Sequence, residues 1–159
     1  MTDILFDAHG TAYTDCGSGP PVLLIHGVGL SHRIWSRIAP LIAAGRRVIA
    51  LDMLGHGASP LPREGATLAD YSAQAFGLLD HLGIESCGVV GFSLGALVVQ
   101  QMALDQPARV RELAAVSGVA FKAVTIRLWL AADIWPAHNN STTRLTSAVA
   151  SSTSASSAV

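Results

Sequence analysis

The chain has 159 residues, a formal net charge of −1, half of its residues hydrophobic and only 13% charged. That length suits one domain with a real core, burying roughly 68–70% of its extended surface. The near-neutral charge speaks against a nucleic-acid partner, the acidic start MTDILFDAHG against a secretory signal, and the absence of a long uncharged apolar run against a membrane span. With only Cys16 and Cys87, two free thiols in a reducing, cytoplasmic setting are expected.

Residues 3–16 predict two short strands around a His9-Gly10 turn, and Gly17–Pro21 reads as a loop. Val22–Ile25 is a continuous apolar run, as in a strand buried on both faces of a parallel sheet. Arg33–Ala44 places apolar residues near a helical period and predicts a helix stopped by Gly45. Arg47–Met53 is a second buried strand, followed by the glycine-rich loop Gly55–Pro60. Thr67-Leu68-Ala69-Asp70 predicts a capping box opening a helix that ends near Gly83. Cys87–Gly91 is a third buried strand, Leu94–Gln106 a helix closed by Pro107, and Leu113–Val116 a fourth strand. Strands alternating with helices predict an α/β fold with a parallel, doubly wound sheet. After about residue 120 the pattern stops. Residues 139–159 hold seven serines and four threonines with Arg144 as the only charge, and read as disordered.

The chemistry concentrates at Gly91-Phe92-Ser93-Leu94-Gly95. Gly-x-Ser-x-Gly between a strand and a helix is the setting of a serine nucleophile on a sharp turn. The two glycines remove clashes around a strained serine. The helix N-terminus behind it offers free N–H groups to a developing oxyanion. The loop His26-Gly27-Val28-Gly29 follows the first buried strand, so the N–H of Val28 can join that of Leu94 as an oxyanion donor. A rival reading takes Gly27-x-Gly29, with Asp52 ending the next strand, as a dinucleotide site and the chain as a nucleotide-dependent oxidoreductase. The third glycine of that pattern falls on His32. The bland reading of Ser93 is a buried serine in a glycine-rich turn.

The segments VLLIHGVGLSHRIW, RVIALDMLGHGASP and VVGFSLGALVVQQMALDQPARV stand in the order and setting of the N-terminal half of an α/β-hydrolase-fold protein, which residues 1 to about 120 resemble. The subgroup is similar to small esterases, enol-lactonases such as 3-oxoadipate enol-lactonase, and cofactor-free haloperoxidase-like enzymes. The resemblance implies a C-terminally incomplete, three-layer hydrolase-type sandwich with a mostly parallel sheet that hydrolyses a small ester or lactone without a cofactor; no His/Cys/Asp cluster has metal-ligand spacing, so no metal is expected. It maps Ser93 to the nucleophile and Val28 and Leu94 to the oxyanion amides. His26, Gly27, Gly29, Asp52, His56 and Phe92 become pocket-shaping residues, with the Gly55–Ser59 loop as pocket floor.

In that fold the acid and then the histidine follow the serine. Beyond Ser93 the chain has Asp105, Glu112 and Asp133 as acids and His138 as its one histidine. Only Asp133 and His138 stand in that order, in a segment without the resemblance. Earlier in the chain, His56 is the histidine to test as a substitute base, whereas His81 lies in a helix. Residues 121–159 are therefore expected to be an unrelated tail, as from a truncated or frameshifted gene. The expected consequences are an impaired or inactive hydrolase, low stability, and self-association through an exposed sheet edge at Leu113–Val116. The other function class open at this point is a non-catalytic binding or pairing module.

Overall fold

The computed structural model describes residues 3–62 and 64–116. In chain order it runs β1 (Leu5–Phe6), β2 (Ala12–Cys16), β3 (Pro21–Ile25), α1 (Ala39–Ile42), β4 (Arg47–Leu51), α2 (Leu68–His81), β5 (Cys87–Phe92), α3 (Leu94–Asp105) and β6 (Val110–Val116). One six-stranded sheet has the order β1-β2-β4-β3-β5-β6. The β1–β2 hairpin is antiparallel to its neighbour β4, and β4, β3, β5 and β6 run parallel.

The buried strands follow from their apolar runs. Side chains alternate across a strand, so Leu23 and Ile25 join one core while Val22 and Leu24 join another on the opposite face. The first core is closed by α2 and α3 through Phe76, Leu79, Val98 and Met102, and the second by Trp35. The capping box forms as the sequence predicts. Thr67 accepts the Asp70 N–H, and the Asp70 carboxylate accepts the Thr67 N–H at 2.7 Å.

The helix predicted over Arg33–Ala44 does not form as one piece. A 3-10 turn covers His32–Trp35, and only the single turn α1 follows. Pro40 explains the break, since it has no N–H to donate and its ring would clash with the carbonyl of Ser36. Trp35 is consequently buried, whereas Ile38 and Leu41 are exposed. The last strand begins earlier than predicted, at Val110, because Arg111 and Glu112 tolerate the sheet on their exposed sides. Glu112 meets Arg46 at 2.9 Å. Among the described strands β6 is an edge, with Leu113 its one buried residue. Both cysteines are free thiols.

Order matters most at β3. It lies between β4 and β5, so the chain leaves the sheet in opposite directions on its two sides. In open parallel sheets such a switch point opens a crevice at the carboxyl ends of the strands. Ile25 is in register with Gly91 on one side and Leu51 on the other. The segments starting at His26, Asp52 and Ser93 therefore emerge next to one another.

Candidate active site

Ser93 sits where β5 ends and α3 begins, with φ 54° and ψ −113°. Among the described residues it is the one non-glycine with positive φ. A conformation of that kind costs on the order of 1–3 kcal/mol and persists only when its surroundings over-determine it. Those surroundings are visible. The Ser93 N–H donates to Val116 O at 2.9 Å, and Ser93 O accepts the Ala96 N–H at 3.0 Å. A Cβ at Gly91 would collide with Gly95 O, and one at Gly95 would collide with Ile25 O. The glycines of the motif thus allow the first turn of α3 to lie directly on β5 and β3.

Gly27 faces the serine: a Cβ built on it would stand 3.0 Å from Ser93 Cβ. The loop holding Val28 is therefore beside Ser93. It is a turn closed by Leu30 N–H to Gly27 O at 3.2 Å, with Gly29 at φ +71°. Among the described residues neither the Val28 N–H nor the Leu94 N–H has an acceptor. Two free backbone donors thus flank a strained serine, one of them at the N-terminus of a 12-residue helix, where the helix dipole favours negative charge.

The buried groups behind this loop are structural. The His26 ring, fully buried, donates from Nδ1 to Gly27 O at 2.7 Å and accepts the Met53 N–H on Nε2 at 3.0 Å. An Nε2 that accepts carries no proton, so the ring is neutral. Burial also holds its pKa below the ordinary histidine value. Its 4.0 Å approach to Asp52 is accordingly not an ion pair. Asp52 is fully buried too. Its Oδ1 accepts His32 N–H at 2.6 Å and His32 Nδ1 at 2.9 Å, and its Oδ2 accepts Ala58 N–H at 2.9 Å. A Cβ at Gly57 would collide with the same carboxylate. Asp52 thereby ties the loop after β3 to the loop after β4.

These contacts overturn the dinucleotide reading. A ribose-binding acid must present free oxygens to a ligand, and both Asp52 oxygens are spent inside the protein. The segment after β3 is a 3-10 turn rather than the long helix whose N-terminus would hold a pyrophosphate.

His56 donates from Nδ1 to Leu54 O at 2.9 Å, and its ring meets His26 edge-on with centroids 5.2 Å apart. Phe92 packs on the second core, its ring beside Gly27. Asp105 accepts Ser72 Oγ at 2.7 Å on the far side of α3. No histidine among the described residues hydrogen-bonds Ser93 Oγ. Asp133 and His138 lie outside the described residues, as does the tail from residue 121. Three contributors carry little local signal in the sequence. His32 stands out only as the residue replacing a glycine. Ser59, whose Oγ donates to Asp52 O at 2.6 Å, and Gln74, whose Oε1 accepts Leu54 N–H at 2.9 Å, are revealed by the assembly alone. No helix among the described residues is long and apolar enough to cross a membrane, and no group of three His, Cys, Asp or Glu among them is placed to hold a metal ion.

The chain is similar in sequence and fold to known proteins. The chain is 37% identical to the pimeloyl-[acyl-carrier protein] methyl ester esterase of Aeromonas salmonicida, over 76% of its own length and 43% of that protein. It is 40% identical to the putative carbamate hydrolase RutD of Variovorax paradoxus, over 70% of its length and 41% of the relative. The crystal structure of a hydrolase from Pseudomonas aeruginosa PA01 superposes with a TM-score of 0.69 at 30% identity, covering 77% of this chain and 48% of the other. The chain thus spans less than half the length of each of these relatives. A family model of the α/β hydrolase fold matches residues 20–157, and with the nucleophile turn, the switch-point sheet and these relatives in agreement, the chain belongs to the α/β hydrolase fold family.

Proposed function

We propose that the chain carries the nucleophile and oxyanion half of a serine hydrolase acting on a small carboxylic ester or lactone. The observation that carries this reading is the strained Ser93 turn, flanked by the free N–H groups of Val28 and Leu94. In the proposed reaction Ser93 Oγ adds to the substrate carbonyl carbon as its proton passes to a base. The carbonyl oxygen becomes an oxyanion facing the two N–H groups. Collapse breaks the ester bond, the leaving alkoxide takes the proton, and water then releases the acid from the acyl-serine. The relatives named as a methyl ester esterase and a carbamate hydrolase support acyl transfer to water as the reaction class.

The base is the limiting part. None of the described histidines hydrogen-bonds Ser93 Oγ, so this chain is read as a weak hydrolase at best. Asp133 and His138 are the candidate acid and base, and His56 the substitute to test. A fluorophosphonate probe decides the central point. Labelling of the wild type that vanishes in Ser93→Ala supports an activated nucleophile. Absence of labelling in a folded wild type removes the hydrolase reading. That second result favours the other class, a non-catalytic binding or pairing module, for which β6, an edge among the described strands, is the specific observation.

A further inference from the structure

A cleft of about 630 Å³ lies away from Ser93, between the β1–β2 hairpin and the segment that follows β3. Ile4, Thr14 and Cys16 line one side, and His32, Arg33 and Trp35 line the other, continuing to Ser36 and Pro40. Thr14 and Cys16 are two apart on β2 and so share a face. The volume falls in the range of small-molecule sites, which combine apolar walls with a few convergent polar groups.

The polar groups here are unspent. Among the described residues the Arg33 guanidinium makes no ion pair, and the hydroxyls of Thr14 and Ser36 make no hydrogen bond. Trp35 is 7% exposed, so it offers the cleft its ring and not its inaccessible indole Nε1. No carboxylate lines the cleft. Asp15, between Thr14 and Cys16, is held by Arg47 at 2.7 Å, and Asp52 by His32. The cleft is therefore positive, rich in donors and otherwise walled by Ile4, the Trp35 ring and Pro40.

We propose that this cleft binds a small monocarboxylate with an apolar body. The Arg33 fork matches a carboxylate's two oxygens, Ser36 and Thr14 supply further donors, and the apolar body lies against Ile4 and Trp35. The occupant would also touch His32, which gives both its backbone and ring N–H to Asp52. It would therefore press on the residue that anchors the oxyanion loop without entering the catalytic crevice.

The test uses the full chain with 5-fluorotryptophan at its three tryptophans, the Trp35 signal being assigned with Trp35→Phe. Octanoate is titrated and followed by fluorine NMR. The expected result is a saturable shift of the Trp35 signal, with affinity weakened about tenfold or more when octanamide replaces octanoate or in Arg33→Gln, because each removes the charge-assisted pair. Ser93→Ala should bind octanoate as the wild type does. Arg33 is exposed, so its replacement leaves the core intact, and the octanamide comparison needs no variant at all. Absence of a saturable shift overturns the proposal, as does equal binding of octanamide or loss of binding in Ser93→Ala. A Trp35 shift given by inorganic phosphate but not by octanoate overturns the apolar part and with it the proposed ligand class.

Discussion

Replacing Ser93 should stabilise the fold, but only when the replacement removes the Cβ. Ser93 holds φ 54° and ψ −113°, near the first central position of a type II′ turn, where glycine is preferred. The strain belongs to the Cβ and the backbone, not to the hydroxyl. Ser93→Gly relieves about 1–3 kcal/mol of strain and loses about 0.5–1 kcal/mol through the greater freedom of glycine in the unfolded chain. The net expectation is a gain centred on about 1 kcal/mol, within a range of about 0–2.5 kcal/mol, each kcal/mol raising the melting temperature by roughly 2–4 °C for a domain of this size. Ser93→Ala removes the hydroxyl but keeps the Cβ, so it keeps the strain. Urea unfolding followed by circular dichroism, run on all three proteins, separates the two effects. Glycine should lie above alanine, and alanine should lie within about 0.5 kcal/mol of the wild type. Equal stability of the glycine and alanine variants would refute the idea that strain is stored at this turn.

Three further outcomes are expected. Asp52→Ala strands His32 N–H, His32 Nδ1 and Ala58 N–H behind the oxyanion loop. These hydrogen bonds are only partly buried, so their loss should cost about 1–3 kcal/mol in total in denaturant unfolding, and a loss below about 0.5 kcal/mol would mean the clamp is not formed. His26 is buried neutral with its pKa pushed below the ordinary histidine value, so the unfolded chain takes up a proton first. Stability should therefore be flat above about pH 7 and fall as pH drops below about 6.5 towards the folded pKa. The unfolding midpoint in His26→Gln should be lower throughout but should lose that part of the pH slope. Burial raises the Cys87 thiol to about 11, so in the folded protein a disulfide reagent at pH 8 should modify the half-buried Cys16 well before Cys87, and urea should abolish the difference. Mass spectrometry of the early product checks the order.

The parts of this fold that are legible in the sequence are those whose cause is local. Val22–Ile25 and Cys87–Gly91 are apolar runs of strand length. Thr67 and Asp70 satisfy each other across three residues. Gly91, Ser93 and Gly95 bring their own explanation within five positions. The split of the 33–44 segment is also local, but periodicity pointed one way and Pro40 the other. The proline prevailed because a missing donor and a ring clash outweigh a weak apolar stripe. The role of Asp52 is of a different kind. Three separate segments supply its environment: His32 beyond β3, Ala58 and Ser59 beyond β4, and Gln74 from α2. An aspartate ending a strand looks the same in sequence whether it faces a ribose or a ring of N–H groups. Only burial distinguishes them.

The division of labour within the site follows from the same topology. β3 is flanked by β5 on one side and β4 on the other, so the Ser93 turn, the Val28 loop and the Asp52 clamp come from residues 26 to 96, with Val116 O on β6 closing the Ser93 turn. These are the components that must be rigid before any substrate arrives, since an oxyanion donor is effective only where it is already aimed. Their rigidity is bought with close packing at Gly91 and Gly95 and with buried acceptors at His26 and Asp52. A general base must in addition come within about 2.6–3.2 Å of Ser93 Oγ in the right tautomer. It can be supplied by any later segment that returns to the carboxyl end of the sheet. The Ser93 turn and the two backbone N–H groups beside it are thus held in place among the described residues, and the reach of a base to Ser93 Oγ is what a fluorophosphonate or ester assay of this chain would register. A Ser93 that labels slowly, with little dependence on pH between 6 and 8, would point to a preformed oxyanion site acting without a histidine. A rate that rises through the histidine range, and loses that rise in His138→Gln or His56→Gln, would name the base.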